Sequence, residues 1–146
     1  MRSLAFTQLF IFVLLLGACK TQVQNGNQGI TGQLSLIKGN QMPPNSGSGT
    51  PVERVILVYE ATQLDDADGS PPLFNSVKTK LIAKSKSNNK GEFKISLPVG
   101  QYSVFVQEDG KLFANLFDSK NMIHLVDVKE NTWKNISISI NHSASF

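Results

Sequence analysis

The sequence predicts an all-β domain, a two-sheet β-sandwich of seven to eight strands with Greek-key connections. Three observations carry that expectation. Beyond residue 29 no stretch keeps a helical period over ten residues, and short runs rich in Val, Ile, Phe and Tyr recur between turn signals. The last run is an unbroken alternation, Ile136, Ile138 and Ile140 against Asn135, Ser137, Ser139 and Asn141. No internal repeat is visible, which sets aside propellers and solenoids.

The strands follow in order. Ile30, Gly32, Leu34 and Leu36 alternate with polar neighbours and open the domain. Val52 to Glu60 holds the continuous apolar run Val55 to Tyr59, as expected of a central strand covered on both faces. A third strand is expected over Lys78 to Lys86. The turn Asn88-Asn89-Lys90-Gly91 tolerates positive φ, and Phe93, Ile95 and Leu97 follow it at period two. After Pro98-Val99-Gly100, Tyr102, Val104 and Val106 alternate inward. Asp109-Gly110 is a two-residue hairpin signal leading into Lys111 to Phe117. Short strands at Ile123 to Val128 and from Asn135 onward complete the set. Two connections, 37–51 and 61–76, are rich in Pro, Gly, Ser and Asn and longer than hairpins need; Met42, Leu73 and Phe74 in them are expected to be exposed.

The first eighteen residues differ from the rest. Arg2 is their only charge, Leu9 to Leu16 is an unbroken apolar run, and small Gly17-Ala18 precede Cys19. This reads as a secretory signal, too short for a permanent membrane span of about 20 residues. Leu16-Gly17-Ala18-Cys19 also resembles the lipobox of bacterial lipoproteins, in which the thiol takes a diacylglyceryl group and cleavage falls just before the cysteine. Cys19 is the only cysteine of the chain, so it has no disulfide partner within it, and acylation gives it a role. Residues 19–29 are polar and Gly-containing, a flexible tether, and the domain is expected over 30–146. Lys20 after the cysteine, where the resemblance's sorting rule looks for Asp, implies passage to the outer membrane.

Charge narrows the partners. The chain of 146 residues has a formal net charge of +3, with 40% apolar and 17% charged residues. Without Arg2 it is nearly neutral. Lys78, Lys80, Lys84 and Lys86 alternate along one expected strand and read as a solvated face rather than a phosphate-tracking stripe, so nucleic acid is not an expected partner. The expected partner is a membrane, through the lipid, with a protein or glycan open.

The string Ser87-Asn88-Asn89-Lys90-Gly91-Glu92-Phe93-Lys94-Ile95, followed by Leu97-Pro98-Val99-Gly100-Gln101-Tyr102-Ser103-Val104, resembles the carboxypeptidase regulatory-like, or transthyretin-like, domain. The opening Gly29-Ile30-Thr31-Gly32-Gln33-Leu34 is similar to that family's first strand. The resemblance spans roughly residues 29 to 108 and implies an Ig-like or prealbumin-like sandwich in a small envelope lipoprotein, with no activity attached. The motif residues have structural roles of their own: Gly91 and Gly100 at turns, Phe93 in the core, and Tyr102 with its ring buried and its hydroxyl bonded to upstream backbone.

Candidate sites are few. Iron-binding intradiol dioxygenases of the same structural neighbourhood use two Tyr and two His, and Tyr59, Tyr102, His124 and His142 match in number, but the histidines stand 18 positions apart rather than as His-x-His. Hydroxyisourate hydrolases end in Tyr-Arg-Gly-Ser, whereas this chain ends His142-Ser143-Ala144-Ser145-Phe146. No Gly-x-Ser-x-Gly elbow is present. Asp65, Asp66 and Asp68 before Gly69 lack the spacing of a calcium loop and read as a solvated connection. Trp133 and Phe74 are the candidate aromatic platforms for a glycan, while Ala114-Asn115-Leu116-Phe117-Asp118 is expected in the core. No catalytic residue, metal ligand or cofactor is assigned; the site residue is Cys19, for lipidation.

Overall fold

The computed structural model describes residues 26–43, 47 and 49–145. The signal segment 1–18, Cys19 and the tether up to residue 25 lie outside these residues. The described chain is all-β, with one short 3-10 turn at Leu64–Asp66. Its strands are β1 (Gly29–Asn40), β2 (Thr50–Pro51), β3 (Val55–Glu60), β4 (Ala67–Ser70), β5 (Leu73–Val77), β6 (Leu81–Lys86), β7 (Glu92–Ser96), β8 (Gly100–Glu108), β9 (Lys111–Phe113), β10 (Leu125–Val128) and β11 (Trp133–Ser145). None of the described residues lies in a helix long and apolar enough to cross a membrane.

They form the two sheets of a sandwich. In the smaller sheet β1 is central, with β11 parallel along one edge and β7 and β2 antiparallel along the other. The larger sheet runs β4-β5-β9-β8-β3-β6, with β10 beside β8 on the edge away from β3. Period-two alternation fills the space between the sheets. Ile30, Leu34, Phe93, Ile95, Ile138 and Ile140 from the smaller sheet meet Ile56, Val58, Tyr102, Val104, Val106 and Val128 from the larger.

The larger sheet is covered on its other face as well. Leu57 and Phe105 point away from the main core into a second apolar cluster with Phe74, Leu112, Ala114 and Ile123. Phe105 meets both Tyr59 and Phe74 edge to face, at centroid distances of 5.6 and 6.3 Å. This double covering is the physical reason for the unbroken apolar run in β3.

Several expectations are corrected, the strand number first: eleven strands, some only two to four residues long, stand among the described residues where seven to eight were expected. Residues 61–76 are not an open connection: most of that stretch folds into the 3-10 turn and the β4–β5 hairpin, which reaches the sheet by pairing β5 with β9. Phe74 is therefore fully buried and Leu73 half-buried rather than exposed, whereas Met42 is 50% exposed. The strand expected over Lys111 to Phe117 ends at Phe113, and of the Ala114 to Asp118 segment only Ala114 is core, with Leu116 and Phe117 exposed. The strands expected from Val52 and from Lys78 begin later, at Val55 and Leu81.

Local chemistry accounts for the turns. The Asn88 side-chain oxygen accepts from the backbone N–H of Lys90 and Glu92, both at 2.9 Å, and bends the chain into β7. Gly91 in that turn has φ of +75°, and a Cβ there would lie 2.1 Å from the Leu34 carbonyl oxygen. Asp109 and Gly110, at φ of 49° and 76°, make the tight link between β8 and β9. Tyr102 buries its ring in the core and donates its hydroxyl to the Pro98 carbonyl at 3.0 Å, and burial pushes that hydroxyl's pKa up.

Candidate functional site

The inward alternation of two strands runs past the hydrophobic core and ends on polar groups at one rim of the sandwich. In β8 the series Tyr102, Val104, Val106 continues to Glu108; in β11 the series Ile136, Ile138, Ile140 continues to His142. Because these strands belong to different sheets, their rim residues face each other. Arg54, just before β3, completes the group.

Glu108 is buried and held by Arg54, whose Nε donates to Oε2 at 2.7 Å and whose second nitrogen reaches Oε1 at 3.4 Å. The hydrogen bond to Glu108 pushes the guanidinium pKa up, against the opposing pull of burial. A carboxylate desolvated in this way needs such a partner. On its other side, Glu108 Oε1 is 3.8 Å from Nε2 of His142, too long for a hydrogen bond. That nitrogen is buried and has no hydrogen-bond partner. The imidazole lies against Phe113, with ring centroids 5.9 Å apart. Asp109, exposed on the hairpin turn, brings a third ligand-type atom: one from each of Glu108, Asp109 and His142 lies within 4.8 Å of the others. Among the described residues this is the one such grouping of His, Cys, Asp and Glu. On β11 itself, the Ser139 carbonyl and Asn141 Oδ1 accept from Asn115 Nδ2.

The residues singled out from sequence lie elsewhere. Tyr59 and Tyr102 are on opposite faces of the larger sheet, the first against Phe105 and the second in the main core, so the two-Tyr, two-His set is not assembled. His124 is buried, and desolvation lowers its pKa to about 4. Asp65 and Asp66 occupy the 3-10 turn, while Asp68 lies in β4 and accepts from Asn75 Nδ2 at 3.1 Å. Of the two aromatic platforms, Phe74 is internal, and Trp133 is half-buried with the Lys94 ammonium 4.1 Å over its ring. Lys84 and Lys86 are exposed on β6, and Lys86 pairs with Glu53 at 2.6 Å. The rim group has a signal in the sequence: a Glu and a His each continue an inward apolar series by one further step of two.

Neither a protein-family model, nor a curated protein, nor a solved structure matches this chain.

Proposed function

We propose that this protein is a non-catalytic lipoprotein of the bacterial cell envelope, a β-sandwich tethered by acyl chains on Cys19, directed to the outer membrane and acting as a structural or interaction module. One observation carries the reading: the lone cysteine stands directly after Leu16-Gly17-Ala18, at the end of an apolar run and before a polar stretch that leads into the domain. Two or more acyl chains hold a protein stably at a membrane where a single chain is marginal. The likeness to carboxypeptidase regulatory-like domains supports a module of this kind, since its motif residues Gly91, Phe93 and Tyr102 serve turns and core. Mass spectrometry of the mature N-terminal peptide tests the reading, with a diacylglyceryl-modified Cys19 expected and Cys19→Ser leaving the protein unacylated. An unmodified Cys19 on mature protein free of membrane overturns it.

A second reading, an accessory lipoprotein that binds carbohydrate or peptide, is favoured by a single feature. The 37–51 region borders an open cleft of about 440 Å³, lined by Leu36, Ile37, Gln41, Thr50 and Val52 among others, with exposed Met42 nearby. Such a cleft offers polar and apolar groups in similar measure, Lys38 and Gln41 beside Leu36 and Val52. A glycan and peptide array probed with the full chain tests this reading: saturable binding lost in Gln41→Ala supports it, and no binding removes it.

A further inference from the structure

We propose that Glu108, Asp109 and His142 bind one divalent transition-metal ion of the zinc class, which clasps the two sheets together at the rim of the sandwich. Two observations on the same group point to a cation. The first is the gathering of two adjacent carboxylates, from the end of β8 and its turn, with an imidazole from β11. The second is Nε2 of His142, buried without a hydrogen-bond partner and facing Glu108 Oε1 across 3.8 Å. A buried nitrogen is normally satisfied, and a cation placed between this nitrogen and the carboxylate oxygen would satisfy both. Zinc sits at about 2.0–2.2 Å from nitrogen and oxygen ligands, so a nitrogen and an oxygen ligand of one ion stand about 3.4 Å apart at a tetrahedral angle and at most about 4.3 Å apart. The 3.8 Å gap is within that span. Asp109, exposed on its turn, has the freedom to swing in as third ligand, and a fourth position is left for water.

Arg54 supports the site rather than filling it. Its short bond goes to Oε2, which fixes the carboxylate and leaves Oε1, only loosely approached at 3.4 Å, turned towards His142. Hydrogen-bonded support of this kind orients ligating carboxylates in metal sites. With a neutral imidazole, the four side chains sum to one negative charge, which a dication reverses. The imidazole ligand and the small number of oxygens select a borderline transition ion over calcium, which takes six to eight oxygens. Because His142 belongs to β11 and the two carboxylates to the end of β8 and its turn, the bound ion joins the smaller sheet to the larger.

Calorimetric titration of the full chain with zinc chloride tests the proposal, alongside thermal melts with and without zinc. Expected is one site with a dissociation constant at or below the micromolar range, a raised Tm, and at least tenfold weaker binding in both His142→Ala and Asp109→Asn. The second variant lies on an exposed turn and leaves the core intact, so it reports binding even if the first unfolds. Cobalt(II) at the site should give a d–d absorption spectrum that His142→Ala alters. No zinc binding, binding indifferent to both substitutions, or displacement of zinc by equimolar calcium would each overturn the assignment.

Discussion

Gly91 and His124 show how single residues constrain this fold. At Gly91 two demands coincide, a left-handed backbone and the Leu34 carbonyl in the space a Cβ would occupy. Gly91→Ala is therefore expected to cost about 2 kcal/mol or more, since positive-φ strain and displaced backbone add, and urea titration measures it. His124 is buried, and its own φ of 36° belongs to the tight path by which the chain returns to β10. Its pKa, lowered to about 4 by burial, lies below the unfolded value of 6.5. The neutral ring is the form that fits, so between these two values the unfolded chain holds the proton that the folded chain refuses. Stability is then complete above pH 6.5 and falls as pH drops towards 4, by up to about 3 kcal/mol. Denaturation curves at pH 7, 5.5 and 4 should show this loss, and His124→Gln should flatten it. An equal slope in the variant would place the titration elsewhere.

Among the elements, the β4–β5 hairpin depends on burial against the larger sheet more than on its own local sequence. Its strands are short, and Asp68, Gly69, Ser70, Asn75 and Ser76 are residues depleted in strands or favoured in turns, so local propensity gives little reason to extend. What holds it is Phe74, fully buried against Phe105, together with the pairing of Leu73 and Phe74 to Phe113 and Leu112 of β9. Phe74→Ala should cost about 3–5 kcal/mol, the range for emptying an aromatic site in a packed core. Amide exchange should quicken first in residues 67–77, with β1 and β11 keeping their protection. A loss under 1 kcal/mol would mean that the hairpin is not packed as described. At the opposite edge of the larger sheet, β6 carries exposed Lys84 and Lys86, charges of the kind that discourage edge-to-edge pairing with another chain.

Across the whole molecule, the governing feature is the parallel pairing of the first strand with the last. β1 and β11 run together from Gly29 opposite Trp133 to Asn40 opposite Ser145, so the smaller sheet closes only when the two ends of the domain meet. Pairing at such separation requires loop-closure entropy to be overcome before contacts compensate for it, and refolding is expected on the millisecond-to-second scale of all-β domains. Stopped-flow refolding measures this. A chain truncated after Thr132 should not fold, because it loses Ile138 and Ile140 from the main core and leaves β1 without its parallel neighbour. A cooperative melt from that truncated chain would contradict the central place given to β11.

The sequence by itself determined the strands whose side chains alternate, β1, β7, β8 and β11, and the turns at Asn88–Gly91 and Asp109–Gly110, because period-two burial and positive-φ turns are written in neighbouring residues. It also singled out the lone Cys19. Tertiary structure alone decided that residues 67–77 form a hairpin, that Leu116 and Phe117 face solvent, and that Glu108 and His142 meet at one rim. Periodicity says which face of a strand is buried. It does not say which distant strand supplies the other wall, and the second apolar cluster and the rim group both depend on that pairing.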